Sequence, residues 1–176
     1  MTDLIYFSLI ITISILLTLL ILNRTISVFS HIDGRFYNVQ NYTDKKKASD
    51  MLAHICSKMH KFINNLNDPK VSKLKTFKCS QLSEGSGILG YTSYTKDKND
   101  IVLCLRDKKT KKIHSENLLT YVAVHELAHI MSKTYGHNEE FRKNFRWLLE
   151  QAEYAGIYTH EDYSLRPQEY CGILVH

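Results

Sequence analysis

The sequence predicts an α+β protein in which a single N-terminal transmembrane helix precedes one compact domain. Three observations carry this prediction: an uncharged apolar run near the N-terminus, three later stretches with apolar residues at helical spacing, and two β-type runs joined by a polar turn. The chain has 176 residues. About 154 of them follow the apolar run, which is enough for one domain and too few for two.

The apolar run extends from Leu4 to Leu22 and contains no charged side chain. As a helix it would rise roughly 28 Å, close to the ~30 Å hydrocarbon core of a bilayer. A cleavable signal peptide is the alternative, but no basic residue precedes the run and no Ala-x-Ala-like site follows it. Asp3 precedes the run whereas Arg24 and Arg35 follow it, so we expect a single-pass membrane protein with its domain in the cytoplasm.

Residues 23–43 are polar without a clear period, and we interpret them as a juxtamembrane linker to a domain at 44–176. The first predicted element of that domain is an amphipathic helix from Asp44 to Leu66. Asp68-Pro69 should end it, because proline cannot continue a helix.

A β-hairpin is predicted next, with strands at Tyr91–Thr95 and Ile101–Arg106 around a polar turn. The second strand is nearly all apolar and should be buried. The first alternates with hydroxyl side chains and is a candidate edge strand, to which an extended peptide can add. The four cysteines include no Cys-x-x-Cys pair, so no disulfide scaffold is expected and Cys104 is interpreted as core packing.

The following helix carries the motif His125-Glu126-Leu127-Ala128-His129. Ser115 is its expected N-cap, and Gly136 should follow its end. Its flanks supply apolar side chains at helical spacing: Leu118, Leu119, Val122, Ala123, Leu127, Ile130 and Met131. A last helix should begin at Asn138 with two acids in its first turn.

Two histidines four residues apart lie on one helix face, roughly 5–6 Å apart, so both rings can reach one metal ion. Glu126 is placed beside them as a base for a water molecule that the metal activates. A chance motif is the competing interpretation. Three polar side chains on an apolar helix need partners, however, and a metal ion supplies them. The third ligand could be His137, just after Gly136, or Glu140 from the next helix.

The charge of the chain suits an acidic partner. Beyond Leu22 the sequence has 23 basic residues against 17 acidic ones, since Asp3 is one of the 18 in the whole chain. The lysines between residues 70 and 78 are a candidate patch for nucleic acid or acidic lipid. A solvated lysine face is the favoured interpretation, because no arginine or aromatic interleaving marks a base-stacking surface.

Several features of the sequence form one pattern: the His-Glu-Leu-Ala-His motif, Gly136-His137-Asn138, Phe141, both strands of the hairpin and the closing Glu169-Tyr170-Cys171-Gly172. Together they resemble the WLM group of metallopeptidases, which are related to SprT-like proteases. The chain is more narrowly similar to the WLM-domain proteins of large nucleocytoplasmic DNA viruses. The resemblance covers roughly residues 44–174. The spacing from His129 to His137 is two residues longer than in cellular WLM proteases.

The resemblance implies a zincin-like fold of helices packed on a small sheet. It also implies Zn²⁺ held by His125, His129 and His137, and Glu126 as the general acid and base of peptide hydrolysis. In the cellular relatives the substrates are proteins crosslinked to DNA. Tyr163 and Tyr170 are candidates to stabilise the oxyanion.

These observations predict a membrane-anchored zinc endopeptidase that acts on protein or peptide at a host or virion membrane. One alternative is a non-catalytic virion or membrane protein whose zinc is structural, for which Cys171 or His160 could supply a fourth ligand. The other is a DNA-associated protease that uses its basic surface to bind nucleic acid.

Overall fold

The computed structural model describes residues 2–22, 25–85 and 93–175, and within the first helix the side chains of residues 5–18. The described chain contains four helices and several short strands, so the α+β class is as predicted. Tyr91 and Thr92, at the start of the predicted first strand, lie outside the described residues.

The N-terminal apolar run is helical, as helix α1 (Thr2–Leu22). The predicted transmembrane span at 4–22 is nevertheless wrong, because none of the described helices is long and apolar enough to cross a membrane. The predicted single-pass membrane localisation depends on that span and is therefore wrong as well.

In place of the predicted linker, the chain forms an antiparallel hairpin of β1 (Thr25–Phe29) and β2 (Phe36–Gln40). Tyr37 and Val39 alternate with exposed neighbours and are buried in the core. Gln40 also links the hairpin to the next sheet, because its side-chain amide donates to the carbonyl of Gly85 at 2.7 Å. Only two residues of β2 show the alternation of buried and exposed side chains that marks a strand, and this pattern is too short to predict one from the sequence.

Helix α2 (Lys45–Asn65) buries the apolar face that its sequence pattern predicts. Asp68 and Pro69 follow its end as expected, and the Asp68 carboxylate accepts from the backbone N–H of Lys70 at 2.9 Å. Three short 3₁₀ turns then lead to a sheet of β3 (Leu82–Glu84), β4 (Tyr94–Lys96) and β5 (Asp100–Leu103). The strand order is β3-β5-β4, which places β4 at an edge of the described sheet, as predicted.

Helices α3 (Glu116–Met131) and α4 (Glu139–Tyr154) pack against each other, and α3 also contacts β4 and β5. The predicted caps are present: Ser115 Oγ accepts from the N–H of Leu118 and Asn138 Oδ1 from the N–H of Phe141. Helix α3 ends before the predicted glycine, because Ser132 is already extended. Residues 132–138 form a loop, in which Gly136 adopts φ +81°.

All four cysteines form disulfides, contrary to the expectation from their spacing. Cys56–Cys79 joins α2 to the third 3₁₀ turn, with Cα atoms 5.6 Å apart. Cys104–Cys171 joins the end of β5 to a C-terminal hairpin, with Cα atoms 6.3 Å apart. This hairpin consists of β6 (Gln168–Tyr170) and β7 (Ile173–Val175). Residues far apart in sequence make both pairs, and spacing alone carries no signal for such pairing.

A buried arginine joins β3 to the N-terminus of α2. The Arg106 guanidinium donates from Nε to Glu84 at 2.8 Å and from Nη1 to Asp44 at 2.8 Å. Arg106 and Glu84 are both almost fully buried. Burial raises the pKa of Glu84, and the positive charge of Arg106 opposes that rise.

We expect Arg106→Met to lower the free energy of unfolding by about 3–5 kcal/mol, because it leaves the Glu84 carboxylate buried without its charged partner. The midpoint of urea unfolding measures this loss. Lys109→Met is the matched control: its amine is exposed and lies 3.9 Å from Glu169, so the change should stay under about 0.5 kcal/mol. Equal midpoints for the two variants would contradict a stabilising role for the buried pair.

Candidate metal centre

Three histidine rings from two parts of the chain converge on one point. His125 and His129 lie one turn apart on α3, and the loop after the helix returns His137 to them. His137 Nε2 lies 3.0 Å from His125 Nε2 and 3.2 Å from His129 Nε2. Within the described residues, these three form one of two groups whose ligand atoms could hold a metal ion.

The donor set fits a tetrahedral zinc ion. Two nitrogens bound at ~2.0–2.1 Å in tetrahedral geometry would lie about 3.3–3.4 Å apart, close to the observed separations. Burial, followed by the neighbouring imidazoles, lowers the pKa of His125 to about 3. Burial and His137 lower the pKa of His129 to about 4. Both rings are therefore neutral near pH 7, and the neutral ring is the form that binds metal.

Phe141, at the start of α4, holds the three rings together. Its ring stacks on His129 with centroids 4.2 Å apart, and it meets His125 and His137 edge-on at 4.8 and 4.7 Å. Phe141 itself is buried. The relative placement of the two helices therefore fixes how the histidines meet.

The loop that carries His137 is held from two sides. Lys98, in the turn between β4 and β5, donates to the carbonyls of Ser132 and Thr134. From the other side, the Glu140 carboxylate accepts from the N–H of Lys133 at 2.9 Å and from the hydroxyl of Thr134 at 2.7 Å. These bonds lower the pKa of Glu140 to about 2. Glu140, the alternative third ligand, thus contacts the loop and is not among the grouped ligand atoms.

Glu126 lies beside the three histidines and is 2 % exposed. Thr95 on β4 donates its hydroxyl to Glu126 Oε2 at 2.8 Å. Burial raises the pKa of Glu126 to about 7, although the Thr95 hydrogen bond opposes that rise. Thr95 could not be predicted as a site residue, because its only signal in the sequence is its position in a hydroxyl-rich edge strand.

A groove of about 410 Å³ exposes these side chains to solvent. Its lining includes His125, Glu126, His129 and His137, with residues of β4 on one side and of the 132–137 loop on the other. A groove bounded by an edge strand of the described sheet is suited to an extended chain, which can pair with that strand.

The structure separates the two tyrosines that were candidate oxyanion donors. Tyr170 lines a second cavity together with His125 and Glu126, and its hydroxyl lies 2.5 Å from Ser93 Oγ. Tyr163 instead packs on Tyr121 and borders a different cavity, whose lining includes none of His125, His129 and His137.

Neither candidate fourth ligand belongs to the histidine group. His160 lies 3.0 Å from Glu153, and Cys171 is bonded to Cys104. The other group in the described chain is Cys56, His60 and Cys79. Its two sulfurs are joined in a disulfide, whereas a zinc site needs free thiolates.

No family model matches the chain. It is 37% identical over 163 residues to uncharacterized protein R325 of Acanthamoeba polyphaga mimivirus, across 84% of this chain and 81% of that protein. The chain therefore belongs to the same protein family as this viral protein.

Two further relatives match shorter segments. Uncharacterized protein 136R of Invertebrate iridescent virus 6 is 37% identical over 71 residues, which cover 39% of this chain and 40% of that protein. Uncharacterized protein 042R of Invertebrate iridescent virus 3 is 39% identical over 66 residues, which cover 38% and 42%. A crystal structure of an S. pombe Wss1 mutant aligns over 65% of this chain and 92% of its own, with a TM-score of 0.45 and 20% identity.

Proposed function

We propose that this protein is a zinc-dependent endopeptidase of the WLM, zincin-like class. The observation that carries the proposal is the convergence of three histidine Nε2 atoms beside a buried glutamate at a solvent-open groove. A metal held by three protein ligands keeps one position for water or substrate, which distinguishes catalytic from structural zinc.

Zn²⁺ bound by His125, His129 and His137 would polarise the scissile carbonyl and make a water molecule acidic enough to ionise near pH 7. The burial of Glu126 beside the histidines and its pKa of about 7 support a role as general base. Its carboxylate accepts the proton of the attacking water and passes it to the leaving amine. Thr95 holds that carboxylate in place through its hydroxyl.

The groove supports protein or peptide as the substrate. An extended peptide can pair with β4, whose described outer edge has no strand beside it, and this would bring its backbone past Glu126. The engagement of Cys171 and His160 elsewhere favours this catalytic interpretation over a closed structural zinc site. Binding of nucleic acid by the lysines between residues 70 and 78 stays an alternative.

Removal and return of the metal test the proposal. We expect the purified chain to hold about one zinc per molecule and to cleave an unfolded protein substrate. Exhaustive chelation should abolish cleavage, and one equivalent of zinc should restore it. Thermal unfolding of the metal-free chain, followed in parallel, would separate loss of chemistry from loss of fold. Full cleavage by the metal-free chain would refute the proposal.

A further inference from the structure

A second cavity, of about 190 Å³, adjoins the proposed site. It shares Ser93, His125, Glu126 and Ile173 with the main groove, so the two are continuous beside the proposed base. A peptide that places its scissile bond at Glu126 would therefore have a neighbouring side chain at the mouth of this cavity.

The walls of the cavity are mostly apolar. Tyr121 and Val122 of α3 form one side, and the C-terminal hairpin forms the other with Ile173, Leu174 and Val175. Ile173 and Leu174 are 49% and 61% exposed, so a ligand that covered them would remove further apolar surface from water. Such a lining favours an apolar side chain over a charged one.

The Cys104–Cys171 disulfide sets the position of the hairpin wall. Strands β6 and β7 pair with each other in a separate two-stranded sheet, so no described strand of the central sheet holds them. Cys171 lies in their tight turn and is bonded to Cys104. Beside it, the Tyr170 hydroxyl meets Ser93 Oγ, which also accepts from the N–H of Cys104 at 2.9 Å.

We propose that the C-terminal hairpin is the specificity element of the site, and that it selects peptides with a bulky apolar residue next to the scissile bond. The inference rests on the proposed peptidase function and adds the class of substrate to it. The Cys104–Cys171 disulfide holds the hairpin wall of the cavity at a fixed position relative to Glu126.

Cleavage of a peptide mixture of randomised sequence by the zinc-loaded chain tests this inference. Mass spectrometry of the products should show large apolar residues favoured at one position beside the cut, by about tenfold or more over small polar ones. Ile173→Glu places an acid in the wall, so preference at that same position should move to lysine and arginine. Leu165→Glu is the matched control, since Leu165 is 78% exposed and lies outside both cavities.

Two double variants test the role of the Cys104–Cys171 disulfide. Cys104→Ser with Cys171→Ser should reduce the apolar preference severalfold, whereas Cys56→Ser with Cys79→Ser should retain it. Thermal unfolding establishes that each variant is folded. If the first pair does not fold, the Ile173→Glu profile decides the inference on its own.

The outcomes separate the two proposals. Cleavage without apolar preference, or an unchanged profile in Ile173→Glu, would overturn the specificity element and leave the peptidase function standing. Binding of the same peptides to zinc-loaded Glu126→Gln is measured independently of turnover. Selective binding of apolar peptides without any cleavage by the wild-type chain would overturn the peptidase function and keep the cavity as a binding site.

Discussion

Glu126→Gln is expected to lower the rate of peptide hydrolysis by about 10²–10⁴-fold while zinc stays bound. The amide has nearly the same shape and can still accept the Thr95 hydroxyl, which lies 2.8 Å from the carboxylate. It cannot accept a proton from water, so the loss should fall on kcat rather than on KM. Steady-state kinetics and metal analysis of the same sample measure both quantities.

Glu139→Gln is the matched control for this substitution. The Glu139 side chain is exposed and pairs with Lys143 at 2.8 Å, one position after the cap of α4. We expect its rate and zinc content to equal those of the wild-type chain. Undiminished hydrolysis by Glu126→Gln would mean that another group moves the proton.

His137→Ala should lower zinc affinity on the order of 10²-fold or more and remove hydrolysis with it. Only the two imidazole ligands on α3 would remain of the three proposed. His137 lies on an exposed loop, and its removal should leave the fold intact. Competition with a chromogenic chelator measures the affinity, and circular dichroism checks the helices.

Two controls accompany His137→Ala. His160→Ala alters an exposed histidine that pairs with Glu153, so its affinity should match the wild type. Glu140→Ala removes the carboxylate that holds the backbone of Lys133 and Thr134, so we expect a loss of less than about tenfold. If Glu140→Ala lost the metal and His137→Ala kept it, the ligand assignment would be wrong.

Much of the helical frame follows from local signals in the sequence. The Ser115 and Asn138 caps and the apolar face of α2 rest on neighbouring residues, and the structure contains all of them. The placement of His125 and His129 on one face is equally local, since helix geometry alone brings them together. The meeting of both rings with His137 was predicted through family resemblance, and spacing alone left Glu140 as an alternative.

Other features depend on tertiary contacts that no local pattern encodes. The β1–β2 hairpin buries only Tyr37 and Val39 as its inward pair, and the disulfides join residues up to 67 positions apart. Thr95 reaches Glu126 because β4 lies beside α3, which only the assembled sheet determines. The N-terminal run was predicted correctly as a helix but wrongly as a membrane span.

Zinc K-edge X-ray absorption of the zinc-loaded chain tests the three-histidine site, because it distinguishes sulfur from nitrogen or oxygen ligands and detects bound imidazole rings. We predict three imidazole nitrogens, one oxygen and no sulfur. The nitrogens belong to His125, His129 and His137, and the oxygen belongs to a water molecule in the fourth position. A sulfur shell would point to Cys56 and Cys79 instead, and a fourth imidazole would describe a closed structural site. Either spectrum would contradict the account.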